Sequence, residues 1–375
     1  MNIILRWLFD LLLRFVRSLD PWLLLALLAL MAVGLATQYS ASNESARLAT
    51  TQGVYFCVGL VALWMASRVP AHILKQFTPV AYAASIIPLV LVLFIGRGKY
   101  GNHWINLGFF NFQPSELAKL TLPMMLAWWL DRRRLPLRLR GLPMALLIIA
   151  LPVGLVVLQH DLGTAVLVLA SGIFVLFLAG LSWWWFISAG IAAVGGFSLA
   201  MFAPIRWFWF LRPYQQDRIL TFRNPENDPM GAGWNIIQSK IAIGGGGLTG
   251  KGWGEGTQSH LNYLPEHTTD FIFSVLSEEF GWVGVTLVLM LYLFVVGRCL
   301  WIAAESRDGY ARLLVGSLGM SLFAYVLVNG GMISGLLPVV GVPMPLLSYG
   351  GTAPETLLLG FGVVMALRGR RQVHR

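Results

Sequence analysis

The chain has 375 residues, of which 57% are hydrophobic, 13% aromatic and only 12% charged, with a mean hydropathy of +0.70. A soluble protein is about one-quarter charged, so this composition excludes a cytosolic enzyme and a disordered chain. The net charge of +10 sits in an apolar chain, where a basic excess marks cytoplasmic loops of a membrane protein rather than a nucleic-acid partner.

Taken in order, residues 1–20 read as an amphipathic helix, with Arg6, Asp10, Arg14 and Arg17 on one face. Such a segment lies along the inner membrane surface. A hydrocarbon core about 30 Å thick takes roughly 20 apolar residues per helix. Ten segments qualify: 22–39, 53–67, 79–96, 115–130, 143–159, 162–181, 183–203, 270–299, 311–336 and 355–368. The second and fourth are short, and the eighth is long enough to tilt or to project from the bilayer. The expected fold is all-α and polytopic, one domain over residues 1–375 with about ten transmembrane helices. Cys57 and Cys299 fall near opposite faces, so no bridge between them is expected, because a disulfide needs Cα atoms within about 7 Å.

Charge sets the orientation. With the N-terminus inside, 17 of the 27 basic residues fall on cytoplasmic segments, against five of the 17 acids (Asp10, Asp20, Asp131, Glu305 and Asp308). Short basic loops face the cytoplasm, which predicts N-in and C-in. The outer side then carries the scarce acids.

Residues 204–269 form a long polar connection between the seventh and eighth segments, on the outer face. Loops beyond about 15 residues are functional or disordered, and this one is patterned with Trp, Tyr, Arg and the stretch Trp234 to Ile243. It is expected to fold back over the outer surface. Its glycine cluster, Gly244 to Gly252, contains both G-x-G-x-x-G and G-x-x-x-x-G-K. Neither is a nucleotide site, since the first needs a βαβ context and the second needs Ser or Thr where Gly252 stands. The cluster reads as a flexible turn. No fixed-period repeat is evident.

Ionisable residues at helix ends carry more weight, because charge in lipid is costly. In Gln113-Pro-Ser-Glu116-Leu-Ala-Lys119, proline opens a helix, Glu116 favours its positive end, and Glu116 and Lys119 share a face at i, i+3. Either a neutralising pair or a charged cavity wall fits that spacing. Asp161, in Gln159-His160-Asp161-Leu-Gly-Thr164, is a helix cap or a site residue. Asp270 stands where the eighth apolar run begins, again as a cap or as a general base at the water–lipid boundary. Glu278 and Glu279 lie two turns deeper and read as structural, paired or protonated. Pro343, Pro345, Gly350 and Gly351 break the helix before the tenth segment, and irregular backbone at that depth must be buried or line a cavity. The six His are scattered, with no helical ligand spacing, so no protein-held metal site is expected.

Together these stretches resemble the SEDS (shape, elongation, division, sporulation) family of bacterial cell-wall glycosyltransferases. The resemblance covers nearly the whole chain: Asp20-Pro-Trp-Leu, Tyr39-Ser-Ala-Ser42, Phe112-Gln-Pro-Ser-Glu116-Leu-Ala-Lys119, Asp161-Leu-Gly-Thr164, Gln238-Ser-Lys240-Ile-Ala-Ile-Gly244, Leu264-Pro-Glu266, Thr269-Asp270-Phe-Ile-Phe273 and Ser348-Tyr-Gly-Gly351. Gly250-Lys-Gly-Trp253, Gly256-Thr-Gln-Ser259 and Leu337 to Pro343 look like its elongation branch rather than its division branch.

The resemblance implies polymerisation of lipid II into glycan strands on the outer face of the bacterial inner membrane, with the position of Asp270 catalytic. It also implies that Glu116, Lys119 and Asp161 are functionally sensitive cavity residues. Trp104, Gln113, Glu266, Thr269 and Ser348 join them as substrate-binding candidates on the same motifs. Three positions depart from the family pattern: His103 stands where many members have Arg, Thr268 where many have His, and Pro354-Glu355 in a tract that is usually small and polar.

The chemistry fits the residues. Asp270 would take the proton from the acceptor sugar 4-hydroxyl, which attacks the donor anomeric carbon, inverts it and expels polyprenyl pyrophosphate. Lys119, Lys240 and one or more of Arg97, Arg206, Arg212 and Arg218 are candidates to stabilise the leaving group, with a divalent cation (magnesium or manganese) carried by the pyrophosphate and no tightly bound cofactor. Expected partners are lipid II, the growing glycan strand, a class B penicillin-binding protein supplying the transpeptidase, and other elongation-complex membrane proteins, with no nucleic acid. Two rivals are a lipid II flippase and a non-catalytic scaffold for a penicillin-binding protein. The flippase needs polar groups through the whole bundle, whereas the intramembrane acids here cluster outward.

Overall fold

The structure, a computed structural model, describes residues 19–43, 45–96, 103–106, 108, 111–133, 135–137, 139–209, 211, 213–228, 231–261 and 263–368. Most of the amphipathic segment expected over 1–20, and the candidate cations Arg97 and Arg212, lie outside the described residues. Each of the ten apolar segments overlaps a helix of at least 17 residues: α1 (Pro21–Ala41), α2 (Ala46–Arg68), α3 (Ala71–Ile95), α4 (Pro114–Asp131), α5 (Leu142–Leu158), α6 (Leu162–Leu178), α7 (Trp183–Phe202), α11 (Ile272–Glu305), α12 (Gly309–Ile333) and α13 (Thr352–Arg368). Six of them are long and apolar enough to cross a membrane. The connection after α7 is more ordered than a loop, since it holds α8 (Pro213–Arg223), α9 (Ala232–Gly245) and the single turn α10 (Thr257–His260). The all-α expectation also needs one correction. Two short strands, β1 (Ile105–Asn106) and β2 (Asn111–Phe112), pair antiparallel ahead of α4.

Local chemistry explains where the helices start. Asp20 caps α1, accepting from Leu23 N at 2.9 Å, and Pro21 occupies a first-turn position where a missing N–H costs nothing. Asp161 caps α6 in the same way, accepting from Thr164 N at 3.0 Å. The caps also serve packing: Asp20 is fully buried and takes Arg298 at 2.7 Å and Arg368 at 2.5 Å, which ties the start of α1 to the ends of α11 and α13. Lys75 pairs with Asp131 and with Asp308 at that same end of the bundle.

α4 is buried along most of its length, because α3, α5, α6 and α12 surround it, while α13 lies along α2 and α11 along α12 and α1. By contrast no side chain of α7 is fully buried, and Trp184 and Phe202 are 76% and 88% exposed. Such apolar surface is stable where the solvent is lipid rather than water. The chain is a multi-pass membrane protein.

The eighth segment differs from a plain spanning helix. α11 breaks at Gly281, which has φ 62° and ψ −161°, a conformation essentially open only to glycine. A break there strands the carbonyls of Glu278 and Glu279 and the N–H groups of Trp282 and Val283, which would otherwise bond to each other. The glycine cluster supplies all four partners. Lys251 N and Gly252 N donate to Glu278 O and Glu279 O, both at 3.0 Å, while Trp282 N and Val283 N donate to Gly247 O and Leu248 O at 2.9 and 3.0 Å. Gly250 has φ +82° and lies so close to the break that a Cβ would collide with the Glu279 carbonyl. The cluster is therefore not a flexible turn but a backbone plug for the broken helix.

The Glu278 and Glu279 side chains beside the break are held by different segments. Fully buried Glu278 accepts at Oε1 from Lys251 Nζ at 2.6 Å and from the Thr257 hydroxyl at 2.9 Å and N–H at 3.0 Å. Glu279 accepts from the Ser40 hydroxyl. Trp253 stacks on Tyr39 and donates to Ala36 O at 3.0 Å, which carries the attachment across to α1.

Candidate active site

Four chain reversals meet at the end of the bundle away from the Asp20 cluster. The β1–β2 hairpin brings His103 and Trp104 beside Gln113 at the head of α4. The α5–α6 turn, with His160 in the left-handed region at φ 65°, brings Asp161. The segment ahead of α11 brings Glu266, Thr269 and Asp270. The irregular stretch 334–351, which the two prolines and the Gly-Gly pair keep from helix, brings Gly341 and Ser348. Between them lies a cavity of about 420 Å³.

Eight of the ten candidate residues line it: Asp270, Glu116, Asp161, Trp104, Gln113, Glu266, Thr269 and Ser348. Several are linked, with Gln113 Nε2 donating to Asp161 Oδ2 at 3.1 Å and the Thr269 hydroxyl to Glu266 Oε2 at 3.0 Å. Asp161 is thus a cap and a cavity residue together, one oxygen for each. Lys119 stands just behind the wall. Its ammonium pairs with Glu116 Oε1 at 2.6 Å and lies 4.8 Å from the Tyr325 ring centre, beside an apolar recess of about 50 Å³. Lys240 is outside the cavity, packed against Gly335 beyond the end of α12.

Among the described arginine candidates only Arg218, on α8, reaches the cavity, and its Nη1 is buried without a hydrogen-bond partner. Arg206 is exposed, on a 3-10 turn (Ile205–Phe208) away from it. The sequence motifs did not flag Tyr325, in the wall, or Asn329, behind it. The available signal was a polar side chain inside an apolar helix, which is costly unless bonded.

Asp270 differs from its neighbours. The cap of α11 is Phe271, so the Asp270 carboxylate is free of that duty, and among the described residues no hydrogen bond reaches it. Burial, reinforced by Glu266 and Asp161 and opposed by Arg218, pushes its pKa up to about 7. A carboxylate that titrates near the operating pH is matched to proton abstraction. His103 goes the other way: burial lowers its pKa against the pull of Asp161, and its Nδ1 is buried without a partner.

The family model FTSW_RODA_SPOVE, described as a cell cycle protein, matches residues 13–372. The chain belongs to this family. This match bears out the family resemblance drawn from the motifs, and the relatives that follow bear out its elongation branch. The chain is 46% identical to the peptidoglycan glycosyltransferase MrdB of Escherichia coli (strain K12) over 356 residues, 95% of each chain. Two solved structures share the fold over nearly all of both chains. A member of a peptidoglycan synthase complex that coordinates polymerization and crosslinking matches with TM-score 0.80 and 32% identity, over 95% of this chain and 99% of that one. The rod shape determining protein RodA of Thermus thermophilus matches with TM-score 0.71 and 30% identity, over 94% of this chain and 98% of that one.

Proposed function

We propose that this peptidoglycan glycosyltransferase extends glycan strands from lipid II with Asp270 as general base. The observation that carries the reading is the pairing of opposite tools in one cavity. Asp270 offers a carboxylate with no hydrogen bond among the described residues and a pKa near 7, and Arg218 offers a buried guanidinium nitrogen with no partner. Asp270 takes the proton of the acceptor 4-hydroxyl as that oxygen bonds to the donor anomeric carbon. The bond to the pyrophosphate oxygen breaks, the configuration inverts, and polyprenyl pyrophosphate leaves. Arg218 stabilises the charge on that leaving group. Four carboxylates share the cavity, which favours a pyrophosphate that arrives with its own magnesium or manganese ion.

In this reading ten helices span the inner membrane with both termini in the cytoplasm, and the cavity opens on the periplasmic side. The similarity to a member of a complex that coordinates polymerization with crosslinking supports a class B penicillin-binding protein as partner during cell elongation.

Lipid II incubated with the purified full chain, with products resolved by size, tests the reading. Glycan chains are expected from the wild type and almost none from Asp270→Asn. Normal polymerisation by that variant would overturn the assignment, and transbilayer movement of lipid II without polymer would point to a flippase instead.

A further inference from the structure

Three consecutive carbonyls lead into Asp270, and each is held by a different group. The Tyr349 N–H donates to Thr268 O at 2.9 Å, the Ser348 hydroxyl to Thr269 O at 2.6 Å, and Asn329 Nδ2 to Asp270 O at 2.8 Å. Asn329 also donates from Nδ2 to Val342 O at 2.7 Å. It is fully buried in α12 and stands behind the cavity wall, not in it. One amide group therefore couples two irregular stretches, 268–271 and 334–351, through the carbonyls of Asp270 and Val342.

The second stretch matters to the carboxylate. Gly341 precedes Val342, has φ +70°, and a Cβ there would stand 3.5 Å from Asp270 Oδ2. The segment that Asn329 holds thus lies against the Asp270 side chain. Ser348 completes the clamp from the other side, since its oxygen also accepts from Met344 N at 2.7 Å.

We infer that Asn329 is a positioning residue for catalysis: its two amide hydrogens fix the Asp270 backbone to the Gly341–Val342 segment and so aim the carboxylate into the cavity, without contact to substrate. The inference rests on the reading of Asp270 as the base. Aspartate could not replace Asn329, because a carboxylate has no hydrogens to donate and would face two carbonyl oxygens. An apolar side chain would take the donor from both carbonyls.

The test measures kcat and KM for lipid II polymerisation by the purified full chain, over pH values on both sides of neutrality. Asn329→Ala is expected to lower kcat by roughly 10²-fold, the scale of a misplacement of about 1 Å at a reacting group, with KM near the wild-type value. Asn329→Ser, which keeps one donor, should fall between. The acid limb of kcat/KM should move to lower pH in both, because a loosened carboxylate gains water while Glu266, Asp161 and Arg218 still face it. Ser348→Ala opens the same clamp and serves if Asn329→Ala does not fold.

A folded Asn329 variant with wild-type kcat and an unmoved acid limb overturns the inference. So does a loss of activity that only tracks the amount of folded protein. Asp270→Asn, run alongside, separates the two claims. If it polymerises normally, the base assignment fails whatever Asn329 does. If it is inactive while the Asn329 variants match wild type, only the positioning role fails.

Discussion

The backbone of this protein is irregular both at Gly281 and around Asp270, and the two regions treat their carboxylates in opposite ways. At Gly281 the glycine strand fills all four stranded backbone positions, and Glu278 alongside is saturated by an ammonium, a hydroxyl and backbone N–H groups. Around Asp270 the carbonyls of residues 268–270 are bonded just as fully, yet among the described residues no hydrogen bond reaches the Asp270 carboxylate beside the cavity. A saturated carboxylate fixes structure, because each donor restrains its motion. A bare one, carried on a fully bonded backbone, keeps its basicity and still points one way.

Five substitutions would break or sharpen that contrast beyond the Asn329 series. Asp270→Asn should have the largest effect, a fall of about 10²–10⁴-fold in polymerisation rate, the usual cost of losing a general base. Its thermal unfolding in detergent should stay at or above the wild-type midpoint. Gly281→Ala should act on stability instead, by about 1–3 kcal/mol for a side chain forced into that backbone region, with more from its collision with Gly250. Unfolding of the variant at the wild-type midpoint would mean that the break is not glycine-dependent.

Glu278→Gln should cost about 1–3 kcal/mol of stability, since it weakens a buried, multiply bonded acceptor, and leave the rate per folded molecule unchanged. A collapse of the rate with full stability would give Glu278 a role in chemistry and dissolve the contrast.

The smallest effect is in the pH profile. In the proposed mechanism the base works deprotonated, so kcat/KM should rise with pH through about 7. Asp161→Asn removes a neighbouring negative charge and should move that limb to lower pH. Arg218→Ala removes a positive charge and should move it to higher pH. A limb that ignores both would place the titrating group elsewhere.

Much of this was legible in single residues. The i, i+3 spacing of Glu116 and Lys119 is an ion pair, Asp161 caps α6 as its position indicates, and the proline and glycine pairs before α13 keep that stretch from helix. Lys240 was not legible in the same way. Whether a lysine on α9 faces the cavity or the end of α12 depends on how that helix is rolled against its neighbours, and a single lysine carries no such information. The glycine cluster misled for a related reason. Its composition matches a loose turn, and only the four backbone groups stranded at Gly281, some thirty residues away in sequence, make it rigid. Asn329 belongs to no motif, and its significance comes wholly from the two carbonyls it bridges.

Sequence by itself determined the solvent and the helices, because apolar length and helix-start chemistry are local or compositional properties. It also named Asp270, by its place ahead of an apolar run and by the family motif. Tertiary structure decided which carboxylate stays bare. Glu278 and Asp161 are carboxylates in comparable sequence positions, but donors arriving from distant segments occupy both of them. That difference depends on which distant groups come within hydrogen-bonding reach, a property of the folded chain alone.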